Sequence, residues 1–172
     1  MVRRFRGQFD QKVDGKGRMS IPAPFRRVLE AGDPDWQPKT EPEVIIVFGD
    51  ETQPYLECYT VDAANEVDAM IEEMDFGSVE HEMLVELFNG QSLSTTIDTT
   101  GRIVLPQKLR EKLGVDAGEE VFMIATGRTF QMWHPDTYQK VKKARRQAWL
   151  AEQGEGFNPL SLLAKSRRTG VQ

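Results

Sequence analysis

"VDGKGRMSIP" at residues 13–22 and "IDTTGRIVLP" at residues 97–106 are one ten-residue device written twice, 84 positions apart. Asp14, Gly17, Arg18 and Pro22 match Asp98, Gly101, Arg102 and Pro106 at that offset. Downstream, Arg26 and Leu29 match Arg110 and Leu113. Val13/Ile97, Met19/Ile103, Ile21/Leu105 and Phe25/Leu109 keep apolar character. Farther on, "EVIIV" (43–47) corresponds to "EVFMI" (120–124), and "LECYTVD" (56–62) to "FQMWHPD" (130–136), the offset slipping because the first copy has longer loops. This is an internal duplication, and two copies exclude a solenoid.

Each copy reads as strand, turn, strand, short helix and two more strands. "RFRGQF" and "RMSIP" alternate with period two, as half-buried strands do. "DGKG" and "DTTG" read as turns, in which Asp bonds nearby amides and Gly17 or Gly101 takes a positive φ. Pro22 and Pro106 cannot donate to a ladder but suit the first turn of a helix. Phe25, Val28 and Leu29 then fall at helical spacing, as do Leu109 and Leu113, and Gly32 and Gly114 stop the helices. A unit of about 45 residues has too little core to stand alone. The fold expected is α+β, mainly β: two tandem repeats packed as a pseudo-twofold barrel, with linker and C-terminal helices. Repeat 1 is assigned to 8–63, a helical linker to 64–90, repeat 2 to 91–137, and a basic helix and tail to 138–172. Two linker stripes are expected to be apolar faces, one of Val67, Met70, Ile71 and Met74, the other of Met83, Leu84, Leu87 and Phe88. The stretch after Gly154 is expected to be a mobile tail.

The 172 residues have a formal net charge of −5, which averages opposed segments. Residues 1–30 hold eight Lys/Arg against three acids, whereas residues 31–88 hold Lys39 against sixteen. Residues 135–172 return to eight against three. A polyanion is drawn to the first segment and repelled by the second, so any nucleic-acid surface must be local. Cys58 is the single cysteine, so no internal disulfide forms and a reducing compartment is expected. No run approaches the ~18 apolar residues of a membrane span, and a cytoplasmic location is expected.

With a start "FRG", two D-x-x-G-R turns and a helical linker at this spacing, the chain resembles the MraZ family of bacterial transcriptional regulators over roughly residues 5–150. Each copy resembles a SpoVT-AbrB, or swapped-hairpin, DNA-binding domain. The resemblance implies tandem swapped hairpins assembled as a homo-oligomeric ring, an octamer or dodecamer. It also implies a nucleoid-associated repressor of repeated short DNA boxes upstream of the division and cell-wall gene cluster. The loop "GDPDWQPKTEPE" (32–43) is longer than the family leads one to expect.

Arg18 and Arg102 are the leading candidates for DNA contact. An Arg at the end of a tight turn can fork to a phosphate or to guanine O6 and N7. Alternatively, each pairs with the Asp four residues earlier and fixes the turn. Lys16, Arg3, Arg4, Arg6 and Lys12 surround the first turn in sequence and are candidates for phosphate contact. Asp14 and Asp98 would be repelled by phosphate, so with Gly17 and Gly101 they are read as structuring the turns. Arg26 and Arg27 could be phosphate contacts or surface ion pairs. "KVKKARRQ" (140–147) could meet nucleic acid or the acidic linker of a neighbouring subunit at Glu66, Asp68, Glu72 and Glu73. Trp36, Trp133 and Trp149 are read as core or interface residues. Cys58, His81 and His134 have neither zinc spacing nor a nucleophile–base pattern, and no phosphate-binding glycine loop occurs. No enzyme, metal, cofactor or small-molecule substrate is therefore expected. The rival reading is an antitoxin-like interaction module wrapping a basic partner.

Overall fold

Eight strands carry the duplication, four per copy, in a computed structural model that describes residues 3–169. The first copy supplies β1 (Gln8–Lys12), β2 (Arg18–Ser20), α1 (Ala23–Ala31), β3 (Glu43–Val47) and β4 (Tyr55–Tyr59). After α2 (Val61–Glu72) and α3 (Val79–Leu84), the second supplies β5 (Ser92–Thr96), β6 (Arg102–Val104), α4 (Gln107–Leu113), β7 (Glu120–Ala125) and β8 (Thr129–Trp133).

The copies do not fold side by side; they exchange strands. One antiparallel sheet runs β1-β7-β8-β4-β3-β5, and β2 pairs with β6 as a separate two-stranded ribbon. Four of these six pairings join different copies. The register is reciprocal: Gln8 faces Ile124 where Val47 faces Ser92, and Lys12 faces Glu120 where Glu43 faces Thr96. Equivalent residues meet at Met19↔Ile103 and at Glu57↔Gln131. Such a register follows when two like sequences each prefer the other's third strand to their own.

The sheet remains open, with β1 and β5 as its edges, instead of closing into the expected barrel. The reason is local. The Asp14 and Asp98 turns lift the chain off the sheet, and the following strands last three residues before Pro22 and Pro106 end donation to the ladder. The strand expected over "RFRGQF" also lies later, at Gln8–Lys12. Upstream, Phe5 makes a single bridge to Gly127, because the β7–β8 hairpin turns there and offers no further partner strand.

Between the sheet and the ribbon lies one apolar core, drawn from both copies. Met19, Ile21, Phe25 and Leu29 are buried in it with Ile103, Leu105, Leu109, Met123 and Phe130. Phe25 of α1 lies 5.3 Å from Phe5, 5.1 Å from Phe9 and 4.8 Å from Phe130, ring centre to ring centre. Trp133 is buried and stacks on Tyr55 at 4.7 Å.

The loop 32–43 is tied to itself and to β3: Asp33 accepts from the amides of Asp35 and Glu43, and the Trp36 indole N–H donates to the Thr40 carbonyl. Thr60 caps α2 through its hydroxyl. α2 buries Ala63, Ala64 and Ile71, leaving Met70 in solvent, so the expected four-residue stripe is only partly a core face. The second expected stripe is not buried. α3 passes into π-helical turns over Val85–Gly90, and this whole stretch contains no buried residue.

Residues up to Pro135 form one compact unit and those from Asp136 a second. In the second, π-helical turns over Tyr138–Lys143 follow α5 (Pro135–Thr137) and lead into α6 (Ala144–Glu152). Trp149 packs edge-on against Phe157 there. The stretch expected to be a mobile tail holds a 3-10 turn at Pro159–Ser161, capped by Asn158, and α7 (Leu162–Thr169).

Candidate nucleic-acid interface

The two D-x-x-G-R turns are built alike from the backbone outward. The Asp14 amide donates to the Arg18 carbonyl at 2.9 Å, and the Asp98 amide to the Arg102 carbonyl at 2.8 Å. Asp14 Oδ1 accepts from the amides of Lys16 and Arg18, each at 2.9 Å, and Oδ2 accepts from Arg18 Nε at 3.0 Å. The Arg18 amide above all, with those of Lys16 and the guanidinium, holds the Asp14 carboxyl below the usual carboxylate range against the opposing effect of desolvation. In the second turn the Thr100 hydroxyl comes between acid and base. It donates to Asp98 Oδ1 at 2.6 Å and accepts from Arg102 Nε at 2.9 Å, leaving Arg102 Nε 3.9 Å from Asp98 Oδ2. That hydroxyl is the main cause of the lowered Asp98 pKa, ahead of the Arg102 amide.

Both arginines are thus oriented through Nε, Arg18 directly by Asp14 as the pairing alternative expected and Arg102 through the Thr100 hydroxyl. Their two Nη groups, however, have no hydrogen-bond partner among the described residues. The pairing aims the fork; it does not consume it.

The ribbon sets where the forks stand. Met19 and Ile103 face each other in the core, so their neighbours Arg18, Ser20, Arg102 and Val104 share the opposite, outer face. Arg18 lies across from Val104 and Arg102 across from Ser20. This makes the two arginines diagonal neighbours, a relation that spans roughly 7–8 Å in an antiparallel pair and lies within reach of long side chains. Val104 is 53% exposed between them. Its sequence context did not mark Val104 as a candidate, because its place opposite Arg18 comes from β6 pairing with β2.

Each turn is clasped by the other copy. The Leu105 amide donates to the Gly17 carbonyl at 2.8 Å, and the Ile21 amide to the Gly101 carbonyl at 2.9 Å. Gly17 and Gly101 have φ of +78° and +82°. A Cβ on Gly101 would sit 2.1 Å from Arg26 Nη1, and one on Gly17 would sit 3.1 Å from the Leu105 carbonyl. Arg26 and Arg110 reach back from their helices to the Ile21 and Leu105 carbonyls at 2.9 and 3.1 Å. Arg26 therefore lies over the opposite turn instead of joining a surface ion pair. The repeat of Arg26 as Arg110 at the common offset was the available signal.

The remaining candidates divide into two groups. Lys12 and Lys16 are exposed beside the first turn. Arg3, Arg4 and Arg6 are exposed beyond the other end of β1, six residues or roughly 20 Å from Lys12 along an extended chain. Arg3 lines an open cleft with Thr60, Asp62, Glu66 and Arg128, where Arg128 forms an ion pair with Glu66. The fold thus sets Arg18 and Arg102 on one face of the ribbon, leaves Lys16 and Lys12 beside the Arg18 turn, and sets the N-terminal arginines apart.

Cys58 is fully buried, and burial pushes its thiol well above the ordinary value. Among the described residues, no three His, Cys, Asp or Glu side chains are placed to hold a metal ion. No helix there is long and apolar enough to cross a membrane.

A family model described as "MraZ protein, putative antitoxin-like" matches residues 88–155. The "Transcriptional regulator MraZ" of Ruegeria pomeroyi is 53% identical over 163 residues, covering 95% of this chain and 96% of that protein. The protein of the same description from Cereibacter sphaeroides (strain ATCC 17029) is 38% identical over 171 residues, covering 96% and 99%. That of Parvibaculum lavamentivorans is 34% identical over 138 residues, covering 78% of each chain.

Proposed function

The chain belongs to the MraZ family, and on that premise we propose that it is a transcriptional regulator that binds double-stranded DNA through the outer face of the β2–β6 ribbon. The observation that carries this reading is the pair of aimed guanidinium forks, Arg18 and Arg102, on one exposed face with Val104 between them. A two-stranded ribbon fits the major groove, where an Arg fork pairs with guanine or grips a phosphate and an apolar side chain meets a thymine methyl. Lys12 and Lys16 add phosphate contacts at the same end; Arg3, Arg4 and Arg6 engage a backbone only if the duplex runs along β1. Asp14, Gly17, Asp98 and Gly101 serve the forks by shaping the turns.

In this reading the exchanged strands are a tandem swapped-hairpin domain, and the working particle is a homo-oligomeric ring of cytoplasmic, nucleoid-associated protein. A patch of so few cations binds one site modestly. Several patches on one particle raise the effective concentration at regularly repeated boxes and multiply affinity. The target is a set of short repeats in a promoter, upstream of the division and cell-wall gene cluster, and the effect is repression. No cofactor is called for.

The test is a gel shift of the full-length protein on DNA from upstream of its own gene, repeated over a salt series. Arg18→Ala should weaken binding about ten- to a hundredfold and, if the fork grips phosphate, flatten the log–log salt slope by about 0.9 for each phosphate no longer neutralised. Arg102→Ala should act in the same direction. Undiminished affinity in the double variant would remove the ribbon from the interface.

A further inference from the structure

Two helical stretches of this chain leave most of their large apolar side chains in solvent among the described residues. One is Val79–Gly90, formed by α3 and its π-helical continuation; the other is Tyr138–Glu152, formed by π-helical turns and α6, in which Tyr138 is buried. Most helical stability in a protein comes from packing an amphipathic face, which these two stretches do only in part. Both nevertheless present apolar side chains. On the first, Val79 is 69% exposed, and Met83 and Leu87 follow at four-residue intervals, with Phe76 at 95% just before. On the second, Val141, Trp149 and Leu150 are exposed.

Their charges are opposite. Residues 61–90 hold nine Asp/Glu and no Lys or Arg; residues 138–150 hold five Lys/Arg and no acid. Glu80, Glu82 and Glu86 flank the first apolar stripe, and Arg145 and Arg146 lie on the second helix, all exposed.

We propose that the basic helix α6 of one copy docks on the acidic, apolar face of α3 in a second copy. This rests on the oligomeric part of the reading above and supplies its contact. The match buries both stripes and sets cations against carboxylates at the rim, where charge governs partner choice and register. Donor and acceptor are different patches of the same chain, so the contact is heterologous. Such contacts propagate head to tail and close into a ring when the rotation permits. They also leave the β2–β6 ribbon, which neither helix contains, for DNA.

The experiment uses the full chain and reads native mass by light scattering, with far-UV circular dichroism to confirm folding. Arg145→Glu/Arg146→Glu should reduce the wild-type particle to the single-chain mass of 19.6 kDa, as should Glu80→Lys/Glu82→Lys. In either variant alone, α6 repels α3. Mixed one to one, each variant's α6 complements the other's α3, so the mixture should regain the wild-type mass with the two species alternating. Wild-type mass in both variants alone would overturn the proposal and leave the ring intact. A drop in mass that mixing does not restore would also overturn it, because docking within one chain cannot be rescued by a second. A monomeric wild-type protein would sink the oligomeric reading itself, while the gel shift tests DNA binding separately.

Discussion

Asp14 does more for the turn than for the charge balance of its surroundings. One carboxylate receives two backbone amides and a guanidinium, so its loss frees three donors and misdirects Arg18. Because the native pKa is lowered, this carboxylate stabilises the fold fully only above its unfolded value of about 3.9, and the contribution is lost as pH falls through the lower native value. Asp14→Asn should therefore melt below wild type at pH 7, and the two melting curves should converge as thermal scans are taken to pH 3 and below. A constant gap would mean that the shape of the side chain, not its charge, fixes the turn. Gly101→Ala joins a positive φ to a collision with Arg26, and should cost about 1–3 kcal/mol in chemical denaturation. Pairing it with Arg26→Ala should recover the steric part of that loss and leave the backbone part.

At the scale of the element, the ribbon joins two three-residue strands that would not persist alone. What holds it is the buried Met19–Ile103 pair beneath and the clasp of each turn by the opposite copy. Its outer face is accordingly free to vary without cost to the core. Val104→Asp should leave melting temperature nearly unchanged. If the proposed interface holds, the same substitution should cut affinity for the upstream DNA by at least about tenfold, because it places an anion beside both guanidinium forks. Equal affinity in a gel shift would argue that the duplex does not cover this face. The alternation of Arg18, Met19 and Ser20 was legible in the residues. That Val104 would stand between two arginines was not, since cross-strand neighbours depend on a pairing 84 residues away in the chain.

For the molecule as a whole, four of the six strand pairings join the two copies, leaving β3–β4 and β7–β8 as the pairs within one. Neither half should then fold as a monomer. Residues 1–63 expressed alone should show little strand signal at low micromolar concentration. They should gain it in a concentration-dependent way, by self-pairing or on addition of residues 91–137. A monomeric, cooperatively melting half would contradict the exchanged topology.

The sequence by itself determined the duplication, both Asp-Gly-Arg turns, the proline starts of α1 and α4, and the candidacy of Arg18 and Arg102. Each of these is written in nearest-neighbour chemistry: turn residues, imino rings and apolar periods of two or three to four. The tertiary structure alone decided which strands the copies pair across, that the sheet stays open, that Arg26 closes over Gly101 and that the N-terminal arginines lie away from the turn. β3 and β7 offer β1 nearly the same apolar pattern, so local preference cannot choose between them. The choice falls to the turns and prolines that prevent closure and to the one core that both copies must share to be large enough to fold.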